Sequence, residues 1–171
     1  MSTENIRSSI EETIGYLKAN PEKARSKATA ATAALEKGLK VRTTGPKDQV
    51  IISDMPTTVG GDGSAPTPGW FMQAALATCN ATGIAMKAAQ EGIELTTLEV
   101  SIDTESDTRG ILGIDKSIKA GPLNMRTRVR IGAEGVPVEK LREIVKWNEK
   151  HSWVGNAICR AVPLETEVEI V

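Results

Sequence analysis

Soft nucleophilic chemistry in this 171-residue sequence can come from two side chains, Cys79 and Cys159, and proton transfer near neutral pH from one, His151. Cys79 stands within TPGWFMQAALATCNATGIAMKAAQE, residues 67–91. A thiol there can attack an electrophile only as thiolate, and a thiolate is stabilised by a cation or by a helix N-terminus. Thr67 and Pro68 predict a helix start, which puts Cys79 roughly three turns inside its own helix. Activation therefore calls for a cation brought in by the fold, with Arg42, Arg126 and Arg128 the candidates. Cys79 also reads as a small buried hydrophobe, since cysteine is among the most often buried residue types. Cys159 reads as an unremarkable buried thiol, and His151, near a predicted helix end, as a capping side chain. One histidine and two distant cysteines make no ligand cluster, so neither a metal nor another cofactor is expected. No nucleophile elbow accompanies Ser152 and His151, and no Lys-Ser/Thr pair follows the glycines of Met55–Pro66, which argues against triad and P-loop chemistry.

The elements that must hold these groups can be read from periodicity. Ile6, Ile10, Ile14 and Leu17 predict one narrow apolar stripe on a helix over 3–18, ended by Asn20-Pro21. Residues 22–37 permit helix or strand. Two short strands, 39–43 and 49–53, flank the Gly45–Asp48 turn, so a meander of two or three strands precedes the central helix. That helix is uncharged from Trp70 through Met86, which predicts burial on most sides, and Gly92 stops it. Beyond it, 95–104 and 125–131 alternate as half-wet strands, with a glycine-bounded loop or bulge at 109–113. Pro137 opens a helix bearing Val138, Leu141, Ile144, Val145 and Asn148 on one face. A short helix over 152–158 and a last alternating strand, 164–171, close the chain. Grouped strands without a βαβ period predict an α+β fold with mainly antiparallel sheets around a long central helix. An added N-terminal helix and linker, 1–27, precede a domain of 28–171.

Composition narrows the partners. With 21 basic and 22 acidic residues there is no global field for nucleic acid or anionic membrane, and five aromatics leave little base-stacking surface. Gln73 and Asn80 interrupt the apolar helix, which is too polar to span a bilayer. The start of the chain lacks a secretory pattern, and two cysteines are no disulfide framework, so a cytoplasmic protein is expected.

The ordered set Ser53-Asp54-Met55-Pro56, Gly60-Gly61, Pro66-Thr67-Pro68, ALATC ending at Cys79, Arg109-Gly110-Ile111-Leu112-Gly113 and HSWVGNAICRAVPLETEVEI resembles the OsmC/Ohr family, over roughly residues 28–171. The resemblance implies an intertwined homodimer with two sites between subunits, in which the first cysteine reduces an organic hydroperoxide. A second cysteine then resolves the sulfenic acid, and a dithiol restores the thiol. It places Cys79 on the first cysteine and Ser152 on the second, makes Arg42 the candidate for the family's arginine, and puts Gly69 where a glutamate is usual. Trp70, Phe71, Met72, Ser152 and Trp153 are the substrate-binding candidates. Serine cannot resolve a sulfenic acid, so the expected activity is a one-cysteine thiol peroxidase using an external thiol. The alternative is a protein that binds a small apolar ligand, or senses redox state, in the inter-subunit pocket without catalysis.

Overall fold

The computed structural model describes residues 2–171. Helix α1 (Thr3–Ala19) is followed by strands β1 (Thr32–Lys37), β2 (Lys40–Thr44) and β3 (Val50–Ser53). The long helix α2 (Pro68–Gln90) leads to β4 (Thr97–Ser106), a single turn α3 (Thr108–Ile111), β5 (Pro122–Gly132), and helices α4 (Val138–His151) and α5 (Trp153–Cys159). This is an α+β fold, with a three-stranded sheet in the order β1-β2-β3 and a two-stranded sheet β4-β5. The ambiguous stretch before Gly38 is thus a strand at its end, because β1 finds a partner: Thr32 to Leu35 pair with Thr44 to Val41 in antiparallel register.

The chain divides into two compact units. One comprises residues 9–75 and 102–126; the other comprises residues up to Ser8, 76–101 and 127–171. In the first, the meander unit, β2 pairs antiparallel with both neighbours. After β3 the chain turns on Asp54, which is 1% exposed. Its carboxylate accepts the Met55 amide at 2.7 Å, and the Ser64 amide and hydroxyl, both at 2.9 Å. The Ser64 amide first, and then the other donors, hold the Asp54 carboxyl below its ordinary value against the opposing pull of burial. The loop so fixed delivers Thr67, whose Oγ1 accepts the Trp70 amide at 3.2 Å and caps α2.

In the second, the core unit, Ile84, Ala88 and Ile144 are buried, with Ile93, Leu95, Leu98, Val100, Val129, Ile131 and Val145 packed against them. The alternation of β4 and β5 and the apolar face of α4 thus converge on the last turns of α2. Gly92, at φ +71°, ends α2 in the left-handed region that its lack of a Cβ makes cheap. Just before it, Glu91 accepts Lys140 at 2.5 Å and Lys87 at 2.9 Å, which ties the end of α2 to the start of α4.

Across the β4-β5 ribbon, Glu99 pairs with Arg130, Asp103 with Arg126 and Glu105 with Asn124. One partner's number falls as the other's rises, as an antiparallel ribbon requires. The two polar residues expected to interrupt α2 also find partners. Gln73 donates to Thr104 Oγ1 at 2.6 Å within the meander unit, and Asn80 accepts from Asn148 at 3.2 Å within the core unit.

Two local expectations need correction. Residues 108–111 form a helical turn rather than a loop or bulge, because the Asp107 side chain accepts the Arg109 amide at 3.0 Å and caps it. Residues 164–171 form no strand in the described chain. Alternation marks a strand with one wet face, but a strand needs a partner ladder, and these residues stand exposed without one.

Candidate functional site around Cys79

Cys79 lies on α2 in the core unit, partly buried. Its sulfur is 3.4 Å from the hydroxyl of Ser152. Ser152 is 3% exposed and stands at the corner between α4 and α5. Its amide donates to the Asn148 carbonyl at 2.7 Å, which completes the last turn of α4. Its Oγ accepts the Gly155 amide at 3.1 Å and so caps α5. That bond uses one of the oxygen's two lone pairs, so across the contact with Cys79 the hydroxyl can donate to a thiolate or accept from a thiol.

The backbone at Val154 and Trp153, at the start of α5, also favours the charged form of Cys79. Partial burial by itself pushes the thiol up. The Ser152 hydroxyl, then the amides of Val154 and Trp153, act in the other direction, and the net result is a thiol below its ordinary value. The groups that act on the Cys79 thiol within this chain are the hydroxyl and backbone of the α4-α5 corner. Cys79 is deep in its own helix, but the capping residue of a different helix, α5, meets its sulfur. The sequence signals where α5 begins, through a capping-type serine immediately after a helix-ending histidine, but not what that helix start faces.

The other predicted residues fall as follows. Trp153 follows Ser152 directly, its side chain 82% exposed, while its backbone belongs to the cradle around Cys79. Trp70, Phe71 and Met72 occupy the first turn of α2, in the meander unit, where the Trp70 and Phe71 rings meet edge to face at 5.6 Å. Arg42, on β2 of that unit, donates its Nε to Glu36, and Arg126 makes a two-pronged contact with Asp103 there. His151 keeps its Nδ1 2.7 Å from the Trp147 carbonyl, in the last turn of α4, and its ring stacks on Trp147 at 4.0 Å. Cys159 is exposed at the end of α5, not buried as expected, because the short helix turns that position outward.

Sequence reasoning missed two residues of the surroundings. Asn80, the residue after Cys79, and Asn148, four residues before Ser152, are both buried and bond to each other. Among the described residues no cluster of three His, Cys, Asp or Glu side chains could hold a metal ion, and no helix is long and apolar enough to cross a membrane.

The fold has known counterparts. An OsmC-like protein from Mycoplasma pneumoniae superposes with a TM-score of 0.66 at 15% identity, over 79% of this chain and 89% of its own. An organic hydroperoxide resistance protein OsmC from Legionella pneumophila gives 0.57 at 17% identity, over 78% and 90%. The organic hydroperoxide resistance protein OhrB of Bacillus subtilis gives 0.50 at 16% identity, over 77% and 90%. No curated protein sequence matches the chain. The family model described as OsmC-like protein matches residues 61–167, which span α2, Cys79 and Ser152. The chain belongs to the OsmC family.

Proposed function

We propose that this OsmC-family protein reduces organic hydroperoxides at Cys79 and draws its electrons from an external thiol. The observation that carries the reading is the Cys79 sulfur held 3.4 Å from the Ser152 hydroxyl, with the first amides of α5 alongside. Hydrogen bonds to the charged form favour thiolate, and the thiolate is the nucleophile. Similarity to organic hydroperoxide resistance proteins supports the substrate class.

In the first step the Cys79 thiolate attacks the terminal oxygen of ROOH. The O–O bond breaks, Cys79 becomes a sulfenic acid and the alkoxide leaves, taking a proton to become ROH. Ser152 is placed to donate to the sulfur before attack and to the new oxygen after it. Ser152 cannot resolve the sulfenic acid, because a hydroxyl forms no disulfide. An external thiol therefore condenses with it, releasing water and leaving a mixed disulfide. A second thiol attacks that bond and returns Cys79 as thiol, with the reductant oxidised to its disulfide.

In this reading Trp70, Phe71, Met72 and Trp153 contact the organic group and Arg42 contributes positive charge. The acting form is a homodimer in the cytoplasm. Exposed Leu164, Val168 and Ile170, alternating along the end of the chain, support a second copy as partner. Light scattering checks that state.

The decisive assay is consumption of cumene hydroperoxide in the presence of dithiothreitol. Turnover by the native chain, lost in Cys79→Ser and kept in Cys159→Ser, is expected. A native rate no higher than that of Cys79→Ser would falsify the peroxidase reading.

A further inference from the structure

The cradle around Cys79 depends on where α5 begins, and that depends on how the end of α4 is fixed against α2. One buried polar contact is placed to do this. Asn148, 3% exposed, donates its Nδ2 to Oδ1 of Asn80 at 3.2 Å, and Asn80 is the residue after Cys79. On the other side of the carboxamide, α2 carries Gly83, one turn beyond Cys79. A Cβ at position 83 would sit 2.0 Å from Asn148 Oδ1 and 3.1 Å from its Cγ. The slot on α2 is therefore shaped for this amide: an acceptor at Asn80 and an empty space at Gly83. The main chain of the same residue carries the effect onward, since the Asn148 carbonyl accepts the Ser152 amide at 2.7 Å. From the far side, Asn156 Nδ2 donates to the carbonyls of Lys150 and Ser152 at 3.1 and 2.9 Å and closes the α4-α5 corner.

An asparagine pair buried beside Ile84, Ile144 and Ala88 is a poor way to gain packing free energy. Apolar side chains of similar volume fill such space at least as well. What a directional pair adds is register. Leucine in place of Asn148 could slide by a fraction of an ångström along α2, whereas an amide anchored at one end and walled by Gly83 at the other cannot. The sulfur–hydroxyl contact that α5 presents to Cys79 is sensitive to shifts of that size, because hydrogen bonds weaken steeply with geometry.

We propose that Asn148 is a positioning residue for the Cys79 site: its carboxamide, bonded to Asn80 and lodged over Gly83, sets the end of α4 so that Ser152 and the first amides of α5 stay on the sulfur. This rests on reading Cys79 as the reacting group, but it concerns the state of the thiol and not the fate of a peroxide.

The test is therefore made without peroxide. In a Cys159→Ser background, where Cys79 is the single thiol, the rate of iodoacetamide alkylation is followed against pH for the native core, Asn148→Leu, Asn80→Ala and Gly83→Ala. Ile144→Val serves as a variant that weakens the same helix pair without touching the amide. Loss of register is expected to move the thiol profile of each of the first three upward by roughly one pH unit, a fall of about tenfold in thiolate at a fixed pH below it. Ile144→Val is expected to lower the melting temperature and leave the profile in place. An unmoved profile in folded Asn148→Leu, or an equal shift in Ile144→Val, overturns the proposal. Should Asn148→Leu not fold, Asn80→Ala and Gly83→Ala decide the same question from the α2 side. An upward shift in those variants, in a protein without peroxide turnover, would leave the positioning role standing and remove the proposed function alone.

Discussion

The two units of the chain are built on different physics. Among the described residues every buried apolar side chain, Leu76, Ile84, Ala88, Ala89, Leu141 and Ile144, belongs to the core unit. The meander unit buries only two residues, and both are polar: Ser53 and Asp54. Its strand β1 is exposed along its whole length, and Leu35, Val50 and Ile51 face outward. One unit is held by excluded water, the other by ladders, ion pairs and a carboxylate that gathers a loop. Cys79 and Ser152 stand in the first kind of environment, where small displacements are resisted by close packing.

The largest effect that can sharpen this contrast is a cavity in the core unit. Ile144→Ala removes the side chain that closes the cluster around Ile84, and should cost about 2–5 kcal/mol in denaturant unfolding. A loss under 1 kcal/mol would mean that the cluster is not the stabilising centre of its unit.

Next in size is the chemistry. Ser152→Ala removes the hydroxyl donor and the α5 cap together, and should raise the Cys79 thiol so that its alkylation at neutral pH slows by about tenfold. Ser152→Cys tests the geometry in the other sense. With its oxygen already 3.4 Å from the sulfur, a sulfur at position 152 should close a disulfide with Cys79 on addition of hydroperoxide, visible as a two-dalton loss by mass spectrometry. A stable sulfenic acid without disulfide in that variant would show that the two side chains do not meet in solution.

Sequence patterning carried much of this and stopped at identifiable points. Thr67, Pro68 and Gly92 bracket α2 by capping and backbone chemistry that is local, so they were legible, as was the apolar face of α4. The apposition of Cys79 and Ser152 entered through resemblance alone, since they are 73 residues apart and no periodicity links them. The amides aimed at the sulfur could not be read, because every residue has a backbone N–H and only the fold decides where it points. Asn148 was read as part of an apolar face, and that the position holds an amide for a reason became visible only with Gly83 opposite it. The strand expected over 164–171 shows the complementary limit: alternation specifies a strand's faces and says nothing of its neighbour.

Smaller effects belong to the meander unit. The Asp54 carboxyl is held below its ordinary value by the donors of Ser64 and Met55. A depressed carboxyl contributes stability in full above the unfolded value, about 4, and loses it as pH falls through the folded one. Asp54→Asn keeps the shape and removes that dependence. Its melting temperature should lie below the native chain's at pH 7 and approach it below about pH 4. Parallel curves down to acid would show that the carboxylate charge is not what gathers the loop.

The smallest expected effect is also the one that tests what the exposure of β1 means. Leu35 is 67% exposed, so Leu35→Ala should change the stability of the isolated chain by no more than about 0.5 kcal/mol, an ordinary surface value. If the meander face is covered by a second copy, however, the cost becomes concentration-dependent, because association adds to the stability of whichever state it binds. Unfolding curves of the native chain and Leu35→Ala at two concentrations a hundredfold apart separate the cases. Coincident shifts at both concentrations leave the meander a surface sheet held by its own ladders. A gap between variant and native chain that widens at the higher concentration would mean that Leu35 is a core residue after all, in a core that one chain does not complete.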